Sequence, residues 1–132
     1  MASRRPAVIA AAVALGGALM SAGVWAQSPW TAPAADKARK NPVSGPKAVE
    51  QGKKVAQVNC TACHGAGGKG DGAAAVALNP KPADWTSARV QSESDGELFW
   101  KISTGRGAMP PWKHLPENDR WALVTYIRSL KK

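Results

Sequence analysis

Cys60 and Cys63 are the only cysteines in this chain of 132 residues, and His64 follows directly after the second of them. A domain of this size has a small core and usually needs disulfides, a metal or another staple to be stable. A disulfide between Cys60 and Cys63 would close a very short loop and remove little entropy from the unfolded chain. The sequence therefore predicts that something other than a disulfide fills and holds the core.

The run Cys60-Thr61-Ala62-Cys63-His64 has the C-x-x-C-H spacing of c-type haem attachment. Two thiols three residues apart on a helical turn match two vinyl groups on one edge of a porphyrin, and the adjacent imidazole then reaches the iron. We expect one covalent haem c, with Cys60 and Cys63 as thioethers and His64 as the proximal iron ligand. Two alternatives stay open at this point.

The first alternative is a thioredoxin-like dithiol, which requires the cysteine pair at a strand-to-helix junction. No run of alternating β-branched residues precedes Cys60. The second is a zinc site made of Cys60, Cys63, His64 and His114, although a histidine directly beside the second cysteine is unlike the spaced ligands of such sites.

A low-spin electron carrier needs a second axial ligand. Met109 is the only methionine after residue 20 and lies in the glycine- and proline-rich stretch Gly105–Trp112, where core filler is uncommon. Methionine-histidine ligation raises the reduction potential. We expect Met109 as the distal ligand, with His114 and an open sixth position as the alternatives.

Residues 1–26 are typical of a cleavable signal peptide. Arg4 and Arg5 precede an apolar stretch, and Val24-Trp25-Ala26 resembles a cleavage site. We therefore expect a periplasmic protein. The alternative is an uncleaved anchor that leaves the protein attached to the membrane and facing the periplasm, and membrane association is expected only in that case.

Positive charge dominates the chain, with 18 Lys and Arg against 9 Asp and Glu. Cleavage after Ala26 would remove two arginines and no acidic residue, leaving 16 against 9. This balance favours acidic docking surfaces on partner proteins. Nucleic acid is not expected as a partner, because export is expected and the lysines are scattered along the chain.

The helical signals all lie in residues 46–132. Pro46 suits a first helical position, Ser94 with Glu97 has the form of a capping box, and a last helix is expected from about Pro116. Residues 27–45 show no apolar periodicity, which predicts a flexible lead-in. The folded part is therefore expected to be all-α.

Residues 47–132 resemble the class I cytochrome c family, through the haem motif, the methionine loop and an aromatic C-terminal helix. The resemblance implies three to four main helices around one haem, with the N- and C-terminal helices crossing at Gly52 against Leu123 and Tyr126. It also implies that the carbonyl of Pro82, or less favourably Pro80, accepts the N–H of the proximal imidazole.

The position four residues before Cys60, usually aromatic in that family, is Ala56. We expect Val55 and Trp121 to fill the crossing instead, and Arg106 to pair with a haem propionate. The runs GDGAAAVALNPKPADWTS and DGELFWKISTG look like small bacterial periplasmic members and haem subunits of respiratory complexes.

The function that follows is electron transfer without catalytic machinery of the chain's own. A soluble periplasmic carrier is the first hypothesis, with Lys69, Lys81 and Lys113 guiding an acidic partner. A haem c subunit of a membrane-associated respiratory oxidoreductase complex is the second, and an open-site haem sensor is the third.

Overall fold

The computed structural model describes residues 29–132, and no β-strand occurs among them. Three longer helices form the frame: α2 (Pro46–Asn59), α5 (Asp95–Thr104) and α6 (Glu117–Ser129). Shorter elements connect them: α1 (Ala34–Lys37), α3 (Thr61–His64), a 3₁₀ helix (Ala73–Ala77) and α4 (Ala88–Ser92). The predicted all-α class is confirmed. The expected signal peptide, residues 1–26, lies outside the described residues.

Helices α2 and α6 cross with almost no space between their backbones. A Cβ atom added to Gly52 would lie 2.0 Å from the carbonyl oxygen of Ala122 and 2.8 Å from Cβ of Tyr126. Only glycine fits this contact, because any side chain would push the two helices apart. The predicted crossing of the terminal helices at Gly52 is therefore present, and Leu123 and Tyr126 are buried beside it.

Below the crossing lies one apolar core. Val55, Ala56 and Trp121 are all buried in it, as the small residue at position 56 led us to expect. Trp121 is 1% exposed and stacks on Phe99 with ring centroids 3.9 Å apart. The core thus links α2, α5 and α6.

The ends of the helices follow the capping chemistry that the sequence predicts. The Ser94 side chain accepts a hydrogen bond from the backbone N–H of Glu97, which caps α5, and Gly105 ends that helix. Pro46 occupies the first turn of α2, as expected, and the preceding residue Gly45 is the cap of that helix.

The described part of the lead-in, residues 29–45, is packed on the domain, so its prediction as a flexible segment is wrong. Ala32 is buried, and the side-chain amide of Asn41 donates to Trp121 O at 3.1 Å and to Thr125 Oγ1 at 2.9 Å. Helix α1 approaches α5 so closely that a Cβ on Gly96 would lie 1.9 Å from Asp36 O. These contacts use backbone and short polar groups, which apolar periodicity does not detect.

No helix among residues 29–132 is long and apolar enough to cross a membrane.

Candidate functional site

A cleft of about 620 Å³ lies between the end of α2, α5, α6 and the two loops around residues 78–85 and 106–112. The structure brings all six residues that the sequence predicted for the site to its walls: Cys60, Cys63, His64, Pro82, Arg106 and Met109. Three of them come from the haem motif and three from two distant loops. The fold therefore assembles the expected set at one place.

The two cysteines lie on one helical turn where α2 meets α3. The backbone N–H groups of Cys63 and His64 both donate to Cys60 O, at 3.2 and 2.9 Å. Residues three apart on such a turn face the same side. Burial, with a smaller effect of the neighbouring Cys63, raises the pKa of Cys60 to about 11. A redox-active cysteine pair needs a cysteine whose thiol pKa is lowered. The raised pKa of Cys60 therefore argues against the thioredoxin-like alternative.

His64 is held in one orientation by a backbone carbonyl. Its Nδ1 lies 3.0 Å from Ala83 O. Because a carbonyl oxygen only accepts, Nδ1 carries the proton and Nε2 keeps its lone pair. Burial lowers the pKa of His64, partly opposed by the bond to Ala83. The imidazole is thus neutral with one nitrogen available, which is the form that binds a metal.

The acceptor is Ala83, so the assignment of this role to Pro82, or to Pro80, is wrong. The carbonyl of Pro82 faces Gly70, in the loop that follows α3, since a Cβ on Gly70 would lie 2.3 Å from it. Prolines keep this segment extended, and successive carbonyls of an extended segment point to opposite sides. The orienting carbonyl therefore lies one residue after the second proline, while Pro82 itself remains part of the cleft wall.

Trp85 is a second support for His64, and no sequence motif indicated this role. Its indole stacks on the imidazole with centroids 4.5 Å apart and planes inclined by 24°, and it meets Tyr126 edge-on at 6.4 Å. Its backbone N–H donates to Gly68 O at 2.7 Å. The His64 ring is thus fixed by a hydrogen bond at one atom and by an aromatic face.

Met109 lies in a tight turn between α5 and α6. The backbones of Arg106 and Met109 exchange two hydrogen bonds, of 2.9 and 3.0 Å. Gly105 has φ +62°, and a Cβ there would lie 2.4 Å from Met109 O. Further along, the N–H of Trp112 donates to Ile102 O at 3.0 Å, which ties the loop back to α5. Met109 is half-buried and is presented to the cleft by a defined backbone.

His114, the alternative ligand, lies elsewhere. It is exposed, contacts the Trp112 ring at 5.6 Å between centroids, and is not among the residues of the cleft wall. Within residues 29–132, no group of three or more Cys, His, Asp or Glu side chains is arranged to hold a metal ion. The structure therefore does not bring the four zinc candidates together.

One edge of the cleft is charged, and sequence reasoning missed it. Lys101 pairs with Glu93 at 2.8 Å and with Glu97 at 3.4 Å. The Lys101 ammonium also lies 5.4 Å from the centroid of Trp30, which belongs to the docked N-terminal segment and lines the cleft. Arg106 lines the cleft as well. Only the docking of residues 29–45 brings Trp30 here, so no local pattern could have indicated it.

The cleft fits one haem. Its volume lies within the range of cofactor and ligand pockets, roughly 300–1,000 Å³. It offers two thiols from one turn, a neutral imidazole with a free nitrogen and a thioether from a separate loop. Its remaining wall is largely apolar, with Leu98, Ile102 and Leu123 among the contributors.

Comparisons with known proteins point the same way. Residues 47–127 match the family model described as cytochrome c oxidase, cbb3-type, subunit III. The chain is also similar to a solved structure from the Kuenenia stuttgartiensis reducing HAO-like protein complex, with 26% sequence identity and a TM-score of 0.59. That match covers 71% of this chain and 50% of the other, so this chain spans about half its length. No curated protein matches this chain.

Proposed function

This chain belongs to the family of c-type cytochrome domains described as cytochrome c oxidase, cbb3-type, subunit III, and we propose that it carries single electrons through one haem ligated by His64 and Met109. Cys60 and Cys63 hold the haem covalently in this proposal. The observation that carries it is the hydrogen bond from His64 Nδ1 to Ala83 O at 3.0 Å, which leaves Nε2 for the iron in a cleft that also receives Met109.

When bound, the haem supplies the one-electron chemistry, and the protein supplies ligands, orientation and exclusion of water. Ala83 and Trp85 hold the proximal imidazole, while the turn from Gly105 to Met109 holds the thioether. A thioether ligand favours the reduced state and raises the potential. In this proposal His64 serves as a ligand, and we assign no catalytic step to residues 29–132.

The same proposal places the protein in the periplasm, as expected from residues 1–26. Excess positive charge supports weak, fast encounters with an acidic partner. Lys69, Lys81 and Lys113 are exposed. Lys81 lines the cleft and donates to Ala75 O at 2.8 Å, so its ammonium lies at the edge of the haem site.

A second candidate is a haem subunit of an oxidoreductase complex. Two comparisons favour it, because the matched family is described as an oxidase subunit and the similar structure comes from a multi-protein complex. An open-site sensor is the third candidate, and it requires that Met109 leave the iron.

The axial ligands are tested on protein exported with its native N-terminus. We expect covalent haem by denaturing-gel haem staining and mass, and a sulfur-to-iron charge-transfer band in the oxidised spectrum. Met109→Ala should abolish the band, and Met109→His should lower the midpoint potential. The band surviving in Met109→Ala, or rapid carbon monoxide binding by reduced wild type that Met109→Ala leaves unchanged, would refute methionine ligation.

The size of the native protein distinguishes a free electron carrier from a subunit of a larger complex. Haem-stained native gels of periplasmic and membrane fractions show whether the cytochrome migrates alone or with a larger enzyme. A carrier is expected at monomer size in the periplasmic fraction. Stable co-migration through two chromatographic steps would support the subunit.

A further inference from the structure

A second cavity, of about 350 Å³, lies on the other side of α5 from the haem cleft. Alternate faces of this helix serve the two sites. The haem cleft receives Leu98, Lys101 and Ile102, whereas the second cavity receives Phe99, Trp100 and Ser103. The remaining walls come from the docked N-terminal segment and the start of α6. This cavity is therefore separate from the haem chemistry.

Arg120 is the central group of this second cavity. The residue is 8% exposed, and its guanidinium lies 4.6 Å from the centroid of Phe99. Its Nε donates to Leu115 O at 3.2 Å, and its Nη1 donates to Ser103 Oγ. None of the ion pairs found within residues 29–132 includes Arg120. Both hydrogen-bond acceptors of this guanidinium are neutral, and the Glu117 carboxylate acts on it only through its charge, so none of its recorded hydrogen bonds reaches an anion. Buried charges are normally paired and hydrogen-bonded to their partner, so this arrangement is unusual.

Two further cations line the same cavity. The guanidinium of Arg39 lies 4.5 Å from the centroid of the same Phe99 ring, and Lys113 is exposed at the rim. Two carboxylates are present as well, but Glu117 is engaged by Arg39 at 2.6 Å, and Asp36 completes the lining. Three cations against two carboxylates leave the lining with one positive charge in excess, which favours a further anion in the cavity.

We propose that this cavity binds a small oxyanion, of the phosphate or carboxylate class. Arg120 would provide the buried, planar set of donors that matches such an anion, and Arg39 and Lys113 would close over its outer side. The volume is roughly ten times that of one water molecule in the liquid, about 30 Å³, so an oxyanion fits together with water.

The test is calorimetric titration of the haem-loaded protein with inorganic phosphate at low ionic strength. We expect one saturable site per chain. Lys113→Gln should weaken phosphate binding at least tenfold, and Arg120→Met should abolish it. Lys47→Gln, which changes another exposed lysine, on α2 and outside the cavity, should leave the affinity unchanged.

The phosphate affinity of Arg120→Met is interpreted only if its circular dichroism and haem spectra match those of the wild type. If they do not match, the affinity of Lys113→Gln decides the test. No saturable binding by the wild type overturns the proposal. Equal weakening by Lys47→Gln and Lys113→Gln also overturns it, because it would show general attraction to a basic surface. The haem plays no part in these outcomes, so they are independent of the proposed axial ligands.

Discussion

The indole of Trp85 covers one face of the His64 imidazole, with centroids 4.5 Å apart, and Trp85 is itself 7% exposed. The proposed proximal ligand thus lines the cleft while its ring rests against a residue of the packed core. Its ring plane is set by an aromatic neighbour and its tautomer by Ala83 O. Orientation and protonation state come from two different residues.

Replacement of Trp85 by alanine should therefore affect both stability and ligation. A buried tryptophan reduced to alanine costs about 3–5 kcal/mol. We expect that loss in urea unfolding of the haem-loaded protein, together with a shifted ligand-field spectrum. Trp100→Ala, at a half-buried position outside the haem cleft, should cost less and leave the spectrum unchanged. Identical spectra for wild type and Trp85→Ala would contradict an orienting role.

The crossing of α2 and α6 predicts a large effect of one methyl group. In Gly52→Ala the new Cβ would meet the Ala122 carbonyl, and we expect a loss of about 3 kcal/mol in the free energy of unfolding. Gly67→Ala is the matched control, since only Lys69 Cγ lies near its added Cβ, at 3.9 Å. A Gly52→Ala protein as stable as Gly67→Ala would show that the helices separate freely.

Two glycines of the methionine loop allow a sharper comparison. Gly105 and Gly107 have φ +62° and +57°, which residues other than glycine rarely adopt, so alanine at either costs about 1–3 kcal/mol in backbone conformation. Only at position 105 does the new Cβ also collide, 2.4 Å from Met109 O. We expect Gly105→Ala to weaken or abolish the sulfur-to-iron band and Gly107→Ala to keep it. Equal loss in both variants would mean that the collision is irrelevant.

Asn41 anchors the N-terminal segment through bonds to Trp121 O and Thr125 Oγ1. Asn41→Ala leaves these partly buried groups without that donor, which costs about 1–3 kcal/mol. Hydrogen exchange should show faster opening of residues 29–45, with the helices less affected. Asn118→Ala, at an exposed position of α6, is the control and should change neither measurement. Unchanged exchange in Asn41→Ala would refute the anchor.

Acid should remove one contact at the start of α6. The Trp121 indole N–H, and secondarily the Arg39 guanidinium, hold the pKa of the Glu117 carboxyl below its ordinary 4.5. A carboxyl with a lowered folded-state pKa adds stability above its unfolded-state pKa, and that stability is lost as pH falls through the folded-state value. Glu117→Gln should therefore melt below wild type at neutral pH, and the difference in Tm should vanish towards pH 3. A pH-independent difference would contradict this account.

The residues that meet in the cleft could be predicted, because Cys60 and His64 have a diagnostic spacing and Met109 is the only methionine after residue 20. The carbonyl that orients His64 could not, since a backbone acceptor has no residue identity and its direction depends on the local backbone around Ala83. The docking of residues 29–45 was missed for a related reason. Asn41 bonds to atoms 80 and 84 residues away, and no local pattern encodes such a distance.

The direct contact between Gly52 and the backbone of Ala122 fixes the position of α2 along α6. Cys60 is the C-cap of α2 and follows Gly52 by eight residues, which is about 12 Å of helical rise. The position of the haem attachment point relative to α6 is thus set by backbone against backbone, without help from side chains on the outer face of α2. That outer face carries the exposed residues Lys53, Lys54 and Val58. Substitutions there can therefore change the surface of the protein without moving the haem attachment point.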